Sequence, residues 1–119
     1  MILDFYDAQG NAFAYSEDGE SVYSFDGKPI GYFHGEHFYD FSGRHRGFFS
    51  RGHLWDHAGT ALLYTPAATG GPMKPSRSLK PEKASKGLKP FKGVREMAPL
   101  KPLLTVEWSR VSVRTYFLN

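Results

Sequence analysis

Five histidines, His34, His37, His45, His53 and His57, fall within a stretch of 24 residues. Two of their spacings, His34-x2-His37 and His53-x3-His57, occur in zinc sites, where imidazole nitrogens supply the ligands. His53 and His57 are the better pair. The chain has no cysteine, which removes thiolate ligands, disulfides and cysteine nucleophiles together. The histidines also lie on segments that read as strand and turn. Surface histidine is the simpler reading, and no metal or other cofactor is expected.

Asp7, Asp40 and Asp56 could be read as paired carboxylates for acid–base chemistry, as in glycosidases. A fourth equivalent position holds Ser24. A turn tolerates that exchange and a catalytic carboxylate does not, so these residues read as turn openers. No residue is assigned a catalytic role. Gly70-Gly71-Pro72 lacks the strand and helix context of a phosphate-binding loop.

Tyr6, Tyr23, Tyr39 and Trp55 could form stacking platforms for a carbohydrate- or choline-type ligand. The core is small, however, and aromatic rings are its largest source of buried area. The lysine-rich tract from Lys74 to Lys101 could bind nucleic acid or another polyanion. It holds one aromatic, Phe91, and too many prolines to form a helix that would enter a groove. Docking within the molecule is favoured, and nucleic acid is not the expected partner.

The elements that must position these residues repeat. Four segments align: FYDAQGNAFAYS (5–16), VYSFDGKPIGYF (22–33), FYDFSGRHRGFF (38–49) and LWDHAGTALLYT (54–65). Their anchors are Gly10, Gly27, Gly43 and Gly59. An aromatic stands four residues before each anchor and another five after it. Each unit reads as a β-hairpin, with Asp or Ser opening a type I turn and glycine closing it. The small residues Ala14, Gly31 and Gly47 allow close backbone approach. A single hairpin is marginal in water, so the four must pack together, and closure removes exposed edges.

The remainder of the chain differs in kind. Residues 1–65 carry 4 Lys/Arg and 9 Asp/Glu, whereas residues 66–119 carry 11 and 3. Seven of the eight prolines lie in the second part. Residues 66–104 therefore read as an extended, polyproline-like segment with a loose Leu-Lys-Pro repeat at 79–81, 88–90 and 100–102. Its charge suits docking on the acidic hairpins. Residues 105–119 read as a strand, with Val111 and Val113 alternating with polar residues, that docks on the repeats. A chain of 119 residues is one domain.

The ordered motifs YSFDGKPIGYF, FYDFSGRHRGFF and LWDHAGTALLY, then ATGGPMKP, a Lys/Pro tract and VEWS, resemble the bacterial four-fold β-flower domain over about residues 3–109. The resemblance implies four hairpins in a pseudo-fourfold arrangement and no established activity. The chain departs from that pattern after Ser109.

The expected architecture is all-β: four hairpins in a flower-like arrangement, with an extended basic segment and a C-terminal strand. The expected function is a non-enzymatic structural or protein-interaction module, with a protein partner or self-association through residues 66–119. Ligand binding through the aromatics and weak anion binding through the Lys/Pro tract are the alternatives. Neither a signal peptide nor an apolar run of membrane-spanning length is visible, so a cytoplasmic location is the default.

Overall fold

Four turns organise the chain. The amides of Gly10, Gly27, Gly43 and Gly59 donate to the carbonyls of Asp7, Ser24, Asp40 and Asp56 at 2.9–3.2 Å. The four glycines have φ between +82° and +98°, a conformation that side chains disfavour. Asp7 Oδ1 accepts from the amides of Gln9 and Asn11, both at 2.9 Å. Asp40 and Asp56 do the same in their own turns. At Ser24 the hydroxyl takes over, accepting from Lys28 N–H at 3.2 Å.

The turns join eight strands in a computed structural model that describes residues 2–118. They are β1 (Leu3–Tyr6), β2 (Ala12–Ser16), β3 (Ser21–Ser24), β4 (Pro29–His34), β5 (His37–Tyr39), β6 (His45–Ser50), β7 (His53–Trp55) and β8 (Ala61–Tyr64). Each pairs antiparallel with its neighbours in sequence, and β1 meets β8 at Tyr6 and Tyr64, closing a barrel. All four hairpins carry a register shift at the equivalent place: Phe5/Tyr6, Val22/Tyr23, Phe38/Tyr39 and Leu54/Trp55. Such a bulge bends and twists a strand.

The two faces of the barrel divide the aromatics. Inside, Phe5, Ala14, Val22, Phe38, Leu54 and Leu63 form one cluster. It leaves about 10 Å³ of space, at the limit for one water. Outside, each junction between hairpins carries an aromatic pair: Tyr6–Tyr64, Tyr15–Tyr23, Tyr32–Tyr39 and Phe48–Trp55 are cross-strand partners. The three tyrosine pairs stack with ring centroids 5.6–6.1 Å apart. Each aromatic before a glycine thus packs on the aromatic after the glycine of the preceding hairpin. The small residues serve the same junctions: a Cβ on Gly31 or Gly47 would overlap the carbonyl oxygen of Tyr39 or Trp55.

Residues 66–112 encircle this barrel. The chain after β8 folds back on the turn at Arg51-Gly52, where Thr65 N–H and Thr69 N–H donate to Gly52 and Arg51 carbonyls, both at 2.9 Å. From Met73 to Trp108 it runs extended, without helix or ladder pairing until an isolated bridge at its end. These 36 residues would cover about 110 Å as a polyproline-II chain. That is the perimeter of a disc with the observed extents of 36 × 35 Å. The girdle closes on itself: Trp108 Nε1 donates to the Met73 carbonyl at 3.3 Å. Trp108 also packs on Tyr64, 5.8 Å away.

The C-terminal strand expected over residues 105–119 does not form over residues 105–118, and Asn119 lies outside the described residues. Its pairing is limited to a single parallel bridge between Ala61 and Trp108, and residues 113–118 are instead helical as α1 (Val113–Leu118). The reason is physical: a closed barrel has no long free edge to offer a strand. Tyr116 and Phe117 pack against the central cluster, with Phe117 5.9 Å from Phe13 and 5.8 Å from Phe38 between ring centroids. The short helix therefore stoppers one end of the barrel.

Candidate functional site

The girdle has a period of three residues, which the sequence shows once the contacts are known. From Met73 onward it divides into triplets: MKP, SRS, LKP, EKA, SKG, LKP, FKG, VRE, MAP, LKP, LLT, VEW. A polyproline-II helix has three residues per turn, so each position of the triplet keeps one face.

The middle position faces the barrel. Its cations lie over the paired rings: Arg77 over Tyr6 at 5.7 Å, Lys83 over Tyr15 at 4.4 Å, Lys86 over Tyr23 at 5.3 Å, Lys92 over Tyr32 at 4.3 Å and Arg95 over Tyr39 at 6.0 Å. Such contacts contribute about 0.5–1 kcal/mol each where exposed. Cations of this position also meet the acidic residues of the hairpins. Lys80 pairs with Asp4 at 2.9 Å, Lys92 with Glu20 at 2.9 Å and Lys101 with Glu36 at 3.6 Å. Glu17 takes both Lys83 and Lys86, and those bonds hold its carboxyl below the usual range. In the last quarter Leu104 replaces a cation and packs with Phe48 and Trp55.

The third position supplies the backbone anchors. Ser78, Gly87, Glu96 and Thr105 donate their N–H groups to the carbonyls of Gly10, Gly27, Gly43 and Gly59 at 2.7–2.9 Å. The donors are nine residues apart and the acceptors are the four turn glycines, so three turns of girdle match one hairpin. A Cβ on any of these glycines would overlap a girdle carbonyl, that of Ser76, Ser85, Val94 or Leu103. Glycine is needed there twice over, for positive φ and for the approach of the girdle. Ala84 and Gly93 add bonds to Phe25 and Phe41 at 2.9 and 2.7 Å. The equivalent places in the outer quarters are Pro75 and Pro102, which have no N–H.

The first position faces solvent. Met73, Leu79, Leu88, Phe91, Val94, Met97, Leu100 and Leu103 are each at least 90% exposed. The polarity of the girdle is thus inverted, with charge turned inward and apolar side chains turned outward.

The histidines form a second feature, beneath the third quarter of the girdle. His37 Nδ1 lies 3.0 Å from His45 Nε2, and His45 Nδ1 lies 2.8 Å from His57 Nε2. Neutral rings satisfy this chain when each link has one N–H and one lone pair. His45 is buried at the centre, and burial, reinforced by its two histidine neighbours, lowers its pKa to about 4. Its backbone N–H donates to Glu96 Oε1 at 2.7 Å, which ties the cluster to the girdle. An open groove of about 460 Å³ runs beside His45, His57, Glu96, Met97 and Pro99.

The pairing of His53 with His57 suggested by their spacing is not realised. His57 bonds to His45, whereas His53 is 1% exposed and packs on Trp55. Both of its ring nitrogens lack a protein partner. Burial, with Arg51 and Lys74 adding to it, lowers its pKa to about 4. Among the described residues, no group of three His, Cys, Asp or Glu side chains is arranged to hold a metal ion.

The candidate stacking platforms are covered. Tyr6, Tyr23, Tyr39 and Trp55 are 5%, 9%, 3% and 0% exposed, and lie under Arg77, Lys86, Arg95 and Leu104. Most cations of the Lys/Pro tract are likewise engaged by the barrel, while Lys74 donates to the Pro66 and Ala68 carbonyls. The loose Leu-Lys-Pro repeat is corrected too. Residues 79–81 and 88–90 are in register, but the third in-phase unit is Met97-Ala98-Pro99, and Leu100-Lys101-Pro102 is one triplet later.

A closed pseudo-fourfold ring of hairpins, bound by the chain that follows it, defines an all-β protein of internal repeats. The chain belongs to the family described as 4-fold beta flower protein, which matches residues 3–117. The match runs past Ser109, where the sequence alone suggested a departure, and takes in α1 as far as Phe117. No curated protein and no solved structure matches the chain.

Proposed function

We propose that this chain is a non-enzymatic protein-interaction module in which the barrel is a scaffold and the girdle presents the contact surface. The carrying observation is the exposed row at the first triplet position. An extended apolar segment is ordinarily mobile and self-burying; here two backbone bonds per inner hairpin and a row of inward cations hold it in one conformation. Ordering entropy is thereby met before a partner arrives, which favours binding. The filled interior supports a scaffold role over a ligand lumen, and the covered aromatic pairs favour packing over sugar or choline stacking.

The reading is tested by photo-crosslinking in the cells that make the protein. A photoreactive residue at Phe91, Met97 or Leu100 is expected to give a discrete adduct, and one at Ser76 or Glu82 is not. Absence of an adduct from all three apolar positions rejects the proposal.

A further inference from the structure

The first triplet position is equally exposed all round the barrel, yet its residues are not equivalent. In the first part it reads Met73, Ser76, Leu79, Glu82, Ser85. From Leu88 every third residue is apolar, through Phe91, Val94, Met97, Leu100 and Leu103 to Val106. Except for Val106, at 72%, these seven are 91–101% exposed. Side chains this exposed take almost no part in packing on the barrel, so the difference between the two parts is not a requirement of the fold. It concerns what lies outside.

We infer that the arc from Leu88 to Val106 is a self-association surface, and that its occupant is the same arc of a second copy of this chain. The inference rests on the interaction-module reading and names its partner. Seven such side chains offer on the order of 600 Å² of apolar surface by the usual area scale. A standard interface takes roughly 800 Å² from each partner, a little over half of it apolar. The arc spans about half the perimeter, so two discs meeting edge to edge bury about three or four of the seven side chains at its middle, around Val94, Met97 and Leu100, which suits a weak, reversible dimer. The row as a whole reaches the upper end of the apolar patches that monomers expose. Two like surfaces pair only when their charges allow it. Lys89, Lys92, Arg95 and Lys101, the cations threaded through the arc, are turned to Ser21, Tyr32, Glu20, Tyr39 and Glu36. The outward row carries no charge of its own, and two copies can present it to one another as an isologous contact.

Sedimentation velocity on the full chain over about 1–100 μM tests the inference. A reversible dimer is expected. Met97→Glu and Leu100→Glu should each raise its dissociation constant at least tenfold, because each buries a charge in an apolar contact. Leu79→Glu, at the same triplet position in the first quarter, should leave it within about twofold. All three side chains are over 90% exposed, so at concentrations low enough for the parent to be monomeric the variants should unfold thermally as it does, which confirms that each folds. A monomer throughout the range overturns the inference, as does a dimer indifferent to Met97→Glu and Leu100→Glu. A monomer that floats with phospholipid vesicles overturns it in favour of a membrane surface. The in-cell crosslink separates the two levels. An adduct of twice the chain mass supports the second copy. A different mass rejects the second copy and leaves the interaction module standing, and no adduct rejects both.

Discussion

The indole N–H of Trp108 donates to the carbonyl oxygen of Met73, so the last triplet of the girdle fastens to the first. Trp108→Ala should open this closure without disturbing the hairpins. The readout is limited trypsin digestion, since the girdle lysines are protected only while the strap is docked. Cleavage after Arg77, Lys83, Lys86, Lys92 and Arg95, the girdle cations that proline does not follow, should accelerate several-fold. Trp108→Phe, which keeps a ring on Tyr64 but loses the donor, should fall between. Equal rates in all three proteins would show that closure does not hold the girdle.

Gly43 and Gly35 separate the two demands made on glycine. Both have positive φ, +98° and +62°. A Cβ at Gly43 would overlap the Val94 carbonyl, whereas Gly35 has nothing within 4 Å. Gly35→Ala should cost about 1 kcal/mol from backbone strain alone. Gly43→Ala should cost more, about 2–3 kcal/mol, because it also displaces the Glu96 anchor. Urea unfolding measures both, and equal losses would mean that the girdle contributes nothing at this turn.

Stability should fall between pH 6.5 and 4. His45 and His53 both have folded pKa values of about 4, against about 6.5 when exposed in the unfolded chain. Between these values the unfolded state binds protons that the folded state refuses, so unfolding is favoured as pH drops. Their contribution is complete above pH 6.5 and lost near pH 4, on the order of 3 kcal/mol for each histidine. His53→Phe should flatten roughly half of this dependence in urea midpoints measured across the range. An unchanged slope would remove His53 from the account.

Phe117→Ala should destabilise by about 2–3 kcal/mol, less than a fully buried phenylalanine would, because α1 is only half-buried on the barrel mouth. Arg46 should become more mobile as well. It donates to the Tyr116 carbonyl at 2.7 Å and lies 4.3 Å over the Tyr116 ring. Hydrogen exchange across β6 is the check, and protection unchanged from the parent would argue against a stopper.

The hairpins were legible in sequence because turn chemistry is local. Asp, Ser and Gly announce their roles within four residues, and the aromatic spacing follows the strands. The barrel's closure followed from the need to remove edges. What stayed hidden was set by long-range partners. The helical C-terminus depended on there being no free strand edge, which Val111 and Val113 do not report. The His37–His45–His57 chain joins residues from two hairpins, whereas spacing directed attention to His53 and His57. His37 and His45 lie at the two ends of one hairpin's strand pair, a cross-strand signal that local spacing ignores. The triplet code was present throughout, but prolines and Leu-Lys-Pro triplets drew the eye away from the cations recurring every third residue.

The match of sixteen or seventeen residues of hairpin to nine of girdle makes the chain two rulers read against each other. Losing one girdle residue rotates everything beyond it by a third of a turn, so lysines meet solvent and leucines meet tyrosines. Losing three restores the faces but offsets the amides from the turn glycines. Only a step of nine, accompanied by one whole hairpin, returns both scales to coincidence. Ring size in such a protein can therefore change only by whole petals, with both rulers altered together.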